Sequence, residues 1–154
     1  MMPAVATKIT DVSSLRRFQV PDLDRHRGWM IGRLKTAYAH LNDANLVGWI
    51  RNVIYNAEYL FLYQDNSAAL FQVLSSHTLR PDPLVQESFV FCEDKENPDH
   101  VEQAANFYIE VAKWAKHQGA KTIIVEELTD VPHEIIKEKI GRLLNRQQVF
   151  HKVD

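Results

Sequence analysis

Residues 84–126 read LVQESFVFCEDKENPDHVEQAANFYIEVAKWAKHQGAKTIIVE, and this stretch decides the fold. Leu84 to Glu93 carries Val85, Phe89, Val90 and Phe91 in a run suited to a strand. Asn97 then offers a side-chain oxygen as an N-cap, and Pro98 suits the first helical position, where no backbone N–H is required. Val101, Ala104, Ala105, Tyr108, Val111, Ala112 and Ala115 recur at helical spacing as one apolar stripe, and Gly119 ends the helix. Lys121 to Glu126 is a short β-branched run, the mark of a strand covered on both faces. The two strands are therefore predicted to lie side by side and parallel. The helix from Pro98 to Gln118 is predicted to cross between them, with the right hand such connections take.

Upstream, a strand is predicted over Val5 to Ile9, followed by turn chemistry at Asp11 and Ser13-Ser14. Pro21-Asp22-Leu23-Asp24 offers capping oxygens for a helix from Arg25 to Leu41, which turns Met30, Ile31, Leu34, Tyr38 and Leu41 to one side. A second helix, Ala44 to Tyr55, follows Asn42-Asp43 and buries Leu46, Val47, Ile50, Val53 and Ile54. Glu58 to Tyr63 and Ala68 to His77 read as a hairpin around Gln64-Asp65-Asn66-Ser67, and Leu79 to Pro83 reads as loop. Downstream, Thr129-Asp130 and Pro132 open a last helix to Leu144 that buries Ile136, Ile140, Leu143 and Leu144; Gln147 to Val153 closes as a strand. The order is β-α-α-β-β-β-α-β-α-β. That predicts one α+β domain over residues 1–154, with a mixed, mostly antiparallel sheet flanked by helices.

Composition sets limits on function. Of 154 residues, 45% are hydrophobic and 25% charged, ordinary globular usage that argues against disorder. Cys92 is the only cysteine, which excludes an internal disulfide and a cysteine-built zinc site. Met1 to Thr10 shows no basic stretch leading into an apolar one, so no secretory leader is read there. Apolar-leaning runs such as Tyr59 to Tyr63 and Thr122 to Val125 fall far short of the roughly 20 residues of a membrane helix. A cytoplasmic protein is expected. The net charge of −2 is uneven: residues 1–57 hold eight Lys and Arg against four Asp and Glu, whereas residues 58–154 hold ten against sixteen. Two solvated faces explain such a split; a bipolar surface that docks onto like copies or a charged partner is the sharper reading.

The order of elements resembles that of the GNAT superfamily of N-acetyltransferases, and the resemblance runs from Val5 to Asp154. What it implies turns on one loop. GNAT enzymes hold the pyrophosphate of acetyl-CoA on a Gln/Arg-x-x-Gly-x-Gly/Ala stretch after the fourth strand, whose bare N–H groups are backed by a helix N-terminus. The matching segment here, Cys92 to His100, contains no glycine. Pro98 removes a donor, and Glu93, Asp94, Glu96 and Asp99 set four negative charges against Lys95. A carboxylate within several ångströms of a pyrophosphate costs on the order of 1 kcal/mol or more at a partly exposed site. The helix from Val131 to Leu144 also lacks the tyrosine that family members use as an acid, and Arg146 to Phe150 stands where they carry a Gly-Phe pair.

The resemblance therefore implies a non-catalytic GNAT-like protein without a cofactor, with acetyl-CoA as the alternative if the chain is a divergent N-acyltransferase. In that alternative Glu126 or Glu127 would act as base, although strand-end carboxylates are more often simply solvated. Cys92 is the remaining nucleophile candidate, but most lone cysteines are small core residues. The closing segment GRLLNRQQVF, residues 141–150, is similar to GNAT-like structural and internal virion proteins of short-tailed phages. A minor virion component is the expected role, with itself or other virion proteins as partners. Arg16, Arg17, Arg25, Arg27 and Arg33 with Trp29 and Trp49 are the interaction candidates. The arginines lack the interleaved aromatic platform of a nucleic-acid surface. The seven histidines are dispersed, with no i, i+4 pair that would hold a metal.

Overall fold

The computed structural model describes residues 15–37, 42–75, 82–125, 129–144 and 148–150. The strands are β1 (Arg16–Arg17), β2 (Tyr59–Gln64), β3 (Ser67–Leu74), β4 (Leu84–Cys92), β5 (Ile123–Val125) and β6 (Gln148–Phe150). The helices are α1 (Val20–Ala37), α2 (Asp43–Ile54), α3 (Pro98–His117) and α4 (His133–Leu144). The strands form one sheet in chain order. The β1–β2, β2–β3 and β3–β4 pairs are antiparallel, while β4–β5 and β5–β6 are parallel across α3 and α4. This is the mixed, mostly antiparallel α+β architecture anticipated from the pattern, with β4 and β5 adjacent and parallel.

Each face of the sheet carries two helices. On one face, Met30, Ile31 and Leu34 of α1 and Leu46 and Ile50 of α2 pack on Phe61, Leu70, Phe89 and Phe91. On the other, Phe107, Tyr108 and Val111 of α3 and Ile136 and Ile140 of α4 pack on Leu60, Leu62, Phe71, Val85 and Ile123. Burying each such large side chain stabilises the fold by about 1.5–3 kcal/mol before the entropic cost of ordering it. Strand alternation sorts the residues: Leu60 and Leu62 face α3, Phe61 and Tyr63 face α1.

A β-bulge breaks this alternation in β4. Leu70 lies opposite Phe89 but Phe71 lies opposite Glu87, which leaves Ser88 as the extra residue. The shift brings Val85 and Glu87 to the same face as Val90 and Cys92, under α3.

α3 is bounded as its sequence implies. The Asn97 side chain accepts from the Asp99 N–H, and Gly119 takes the left-handed φ of 80° that a helix stop requires. The Ala120 N–H reaches back to the Ala115 carbonyl and the Gly119 N–H to that of Lys116, which closes the last turn.

Several boundaries differ from the sequence reading. α1 begins at Val20, not Arg25: the Asp22 carboxylate accepts from the Gln19 N–H, so Asp22 sits inside the first turn rather than before it. The Gln64–Ser67 pair reduces the hairpin connection to Asp65 and Asn66, and Asp65 adopts the φ of 46° that a tight connection demands. Arg16–Arg17, to which the sequence pattern assigns no element, is a strand by virtue of its pairing with Leu62 and Tyr63. The strand predicted at Val5 to Ile9 and the end of the first helix at Tyr38 to Leu41 lie outside the described residues.

Candidate functional site

The end of β4, where the resemblance would place a cofactor, is joined to its surroundings by three sets of polar contacts. The first is a clasp. Asp130 accepts two bonds from the Arg33 guanidinium, one at 2.9 Å and one shorter, and a third from the Cys92 N–H at 2.9 Å. Arg33 also donates to the Cys92 carbonyl at 3.3 Å and stacks on Phe91, 4.5 Å from the ring centroid. The Asp130 N–H bonds the Val90 carbonyl, and Thr129 bridges Val90 in parallel. The clasp ties α1 to β4 and to the chain beyond β5. Cys92 is fully buried within it, and its thiol is pushed up to about 12, first by burial and then by the Asp130 charge.

The second set closes the loop between β4 and α3. Glu93 N–H donates to the Asn66 carbonyl at 2.8 Å, Asp94 N–H to His100 Nδ1 at 3.2 Å, and Glu96 N–H to Asp94 Oδ1 at 3.0 Å. Asn97 N–H bonds the Asp94 carbonyl and Asp99 N–H the Asn97 side chain, both at 3.0 Å. Pro98 has no N–H to give. Five N–H groups that could cradle a phosphate are thus already bonded, to the loop itself, to the hairpin turn at Asn66 and to His100 of α3.

The third set lies beneath α3. The Tyr108 hydroxyl bonds Glu87 of β4 closely and lies 2.9 Å from Thr129 Oγ1. The hydroxyl thus joins β4 to the chain just past β5, between the Gln86–Ile124 pair and the Val90–Thr129 bridge. Burial and the Glu87 charge both hold the Tyr108 phenol well above its ordinary range.

Beside the loop a cleft of about 580 Å³ opens at the end of the sheet. α1 contributes Arg25 and Trp29, and Tyr63 ends the wall along β2. Asp65 and Asn66 of the hairpin turn, Glu93 and Gln103 complete it. The turn is pinned on both sides: Asn66 accepts from Glu93 N–H, its N–H points to Gln103 Oε1 at 3.4 Å, and its amide meets His100 Nε2 at 3.1 Å.

No protein family, curated protein or solved structure matches this chain. The site is therefore read from its residues alone. Of the arginines singled out in sequence, Arg16 makes a two-point pair with buried Asp22, at 2.7 and 2.6 Å, and stacks on Tyr63. Arg25 lies 3.4 Å from the same carboxylate, Arg33 holds the clasp, Arg17 is exposed on β1, and Arg27 falls on α1. Lys35 pairs with Asp43 at 2.9 Å. Of these pairs only Arg33–Asp130 joins the basic half of the sequence to the acidic half; the others lie within the basic half. Trp29 and Trp49 are half-buried against the α1–α2 core. Glu126 and Glu127 lie outside the described residues. Among the described residues no cluster of His, Cys, Asp or Glu could hold a metal ion, and no helix is long and apolar enough to cross a membrane.

Sequence reasoning missed Asp22, Asp65, Glu87 and Asp130. The available signal was a lone acid inside an apolar strand at Glu87, where a satisfied partner is needed. For Asp130, nothing local pointed to Arg33.

Proposed function

We propose that this chain is a non-catalytic assembly or interaction protein on a GNAT-like scaffold, a minor virion component of a tailed phage. The observation that carries the non-catalytic part is the loop at 93–99, five of whose N–H groups are already bonded within the protein. To hold a pyrophosphate it would have to release five backbone N–H bonds and bring four carboxylates up to the phosphates. Each of those steps opposes binding. Cys92 offers no nucleophile: its thiol is buried and stays protonated at neutral pH. A nucleic-acid role draws little support, since Arg16 and Arg33 are committed to Asp22 and Asp130. The virion assignment rests on the likeness of the closing segment to phage proteins.

Two experiments test this. Calorimetry with acetyl-CoA is expected to give no binding at micromolar concentrations; a dissociation constant near or below about 1 μM would restore the acyltransferase. Purification from the native source is expected to recover the protein in a larger particle. A protein found only free and monomeric would end the assembly reading.

A further inference from the structure

His100, in the first turn of α3, joins the loop after β4 to the hairpin turn between β2 and β3. The Asp94 N–H donates to His100 Nδ1 at 3.2 Å, and the Asn66 side-chain amide meets Nε2 at 3.1 Å. Taken together, the two contacts fix where the ring carries its proton. A backbone N–H can only donate, so Nδ1 must offer its lone pair. The single proton of a neutral imidazole then sits on Nε2, and the Asn66 amide must turn its oxygen toward it. That orientation disturbs no other bond of the Asn66 side chain among the described residues. The ring is half-buried, so protons reach it from solvent.

We propose that His100 is a pH-operated latch: neutral, it holds the loop to the hairpin turn, and protonated, it lets the loop go. The proton taken from solvent occupies the Nδ1 lone pair, so the Asp94 N–H faces another donor and loses its acceptor. The Nε2–H bond to Asn66 survives and is strengthened by the charge. The loop supplies Glu93, Asp94 and Glu96 against Lys95, α3 adds Asp99, and the hairpin turn adds Asp65. Arg25 of α1 lines the same cleft as Asn66 and Glu93. The Asp94 carboxylate belongs to the residue whose N–H is freed, and it offers the imidazolium a counter-charge in place of the lost backbone bond. The Glu93 N–H still holds the Asn66 carbonyl at 2.8 Å, so the loop changes shape at Asp94 without leaving the turn. The latch follows from these contacts and does not rest on the assembly reading.

The test is an NMR titration of the full-length, isotope-labelled protein from about pH 8 to about pH 5, the range in which histidine side chains change charge. At the upper end the His100 ring is expected as the Nε2–H tautomer. As the ring takes up its second proton, the Asp94 amide signal is expected to move with the same midpoint. Its protection from exchange, corrected for the intrinsic pH dependence, should fall about fivefold, the worth of one net hydrogen bond. His100→Asn places a side-chain oxygen where Nδ1 stands and does not titrate, so its Asp94 amide is expected to stay unchanged over the same range. The measurement on the parent protein stands even if that variant does not fold. A proton on Nδ1 at the upper end, a ring that keeps one charge state throughout, or an Asp94 amide that ignores the ring would overturn the latch. So would the same pH response in His100→Asn, which would assign the change to the neighbouring carboxylates.

Discussion

Arg33 on α1 and Asp130, 97 residues further along the chain, form a two-point ion pair, and Asp130 also caps the Cys92 N–H. Asp130 is nearly buried and Arg33 about one-third exposed, so the pair lies between the surface and interior regimes. Its weight comes from what removal leaves behind: a half-buried guanidinium and an orphaned backbone donor.

Asp130→Ala is therefore expected to destabilise the protein by about 2–4 kcal/mol, seen as a lower urea midpoint. Arg33→Met/Asp130→Ala should recover part of that loss, because no unpaired charge remains. If Asp130→Ala were within about 0.5 kcal/mol of the parent protein, the clasp would be an ornament of the surface.

Cys92 offers a second measurement. Its thiol is raised to about 12 by burial and by the Asp130 charge. The native protein should resist a thiol reagent at pH 8, while the urea-unfolded chain reacts with one equivalent. The sign of the linkage follows: the folded state keeps a proton that the unfolded thiol loses above about 8.5, so this contribution to stability fades as pH rises from there toward about 12. Cys92→Ala should remove that part of the slope. Prompt labelling of the folded protein would contradict the burial of the thiol.

Asp22 predicts the opposite end of the pH scale. Burial raises its carboxyl, but the Arg16 hydrogen bond, the Gln19 N–H and the charges of Arg16 and Arg25 outweigh it, and the net shift is downward. A lowered folded value gives stability that is present above the unfolded value of about 3.9 and lost as pH falls below it. Asp22→Asn should be less stable than the parent at pH 7 and should show a shallower loss between about pH 4 and 2. Parallel acid-denaturation curves for the two proteins would rule out this carboxylate as a contributor.

The parts of the fold that were legible in sequence are those with local causes. Asn97, Pro98 and Gly119 bracket α3, and its apolar stripe is long enough to leave no rival reading. The start of α1 was not legible, because Pro21 and Asp22 look like a cap yet fill the first turn, where proline's missing N–H does no harm. β1 carries no strand pattern; Arg16 and Arg17 are extended because β2 offers an edge. The site was hardly legible at all. Tallying charge by halves of the chain assigns Arg33 and Asp130 to opposing faces, whereas folding joins them, and Arg16 and Lys35 find Asp22 and Asp43 within their own half. Glu87 reaches α3 only through the bulge at Ser88, which period-two reasoning does not anticipate.

The Tyr108 hydroxyl gives the last prediction. It stands between Glu87 and Thr129 with no exposure to solvent, while its ring packs edge-on to Phe71 at 5.9 Å. Tyr108→Phe keeps the ring and that contact, and removes only the bridge. Glu87 then loses its donor and the Thr129 hydroxyl loses the phenol oxygen it donates to, so a loss of about 1–3 kcal/mol is expected from urea unfolding, with an unchanged denaturant slope. The loss should not be additive with Glu87→Ala: a double-mutant cycle should return a coupling of about 1 kcal/mol or more, because both changes break the same bond. Amide exchange at Ile123 to Val125 should quicken in Tyr108→Phe, since the hydroxyl joins β4 to the chain just past β5. Slow exchange there, together with additive single variants, would mean that the strands are held by packing alone and that the hydroxyl is a passenger in the core.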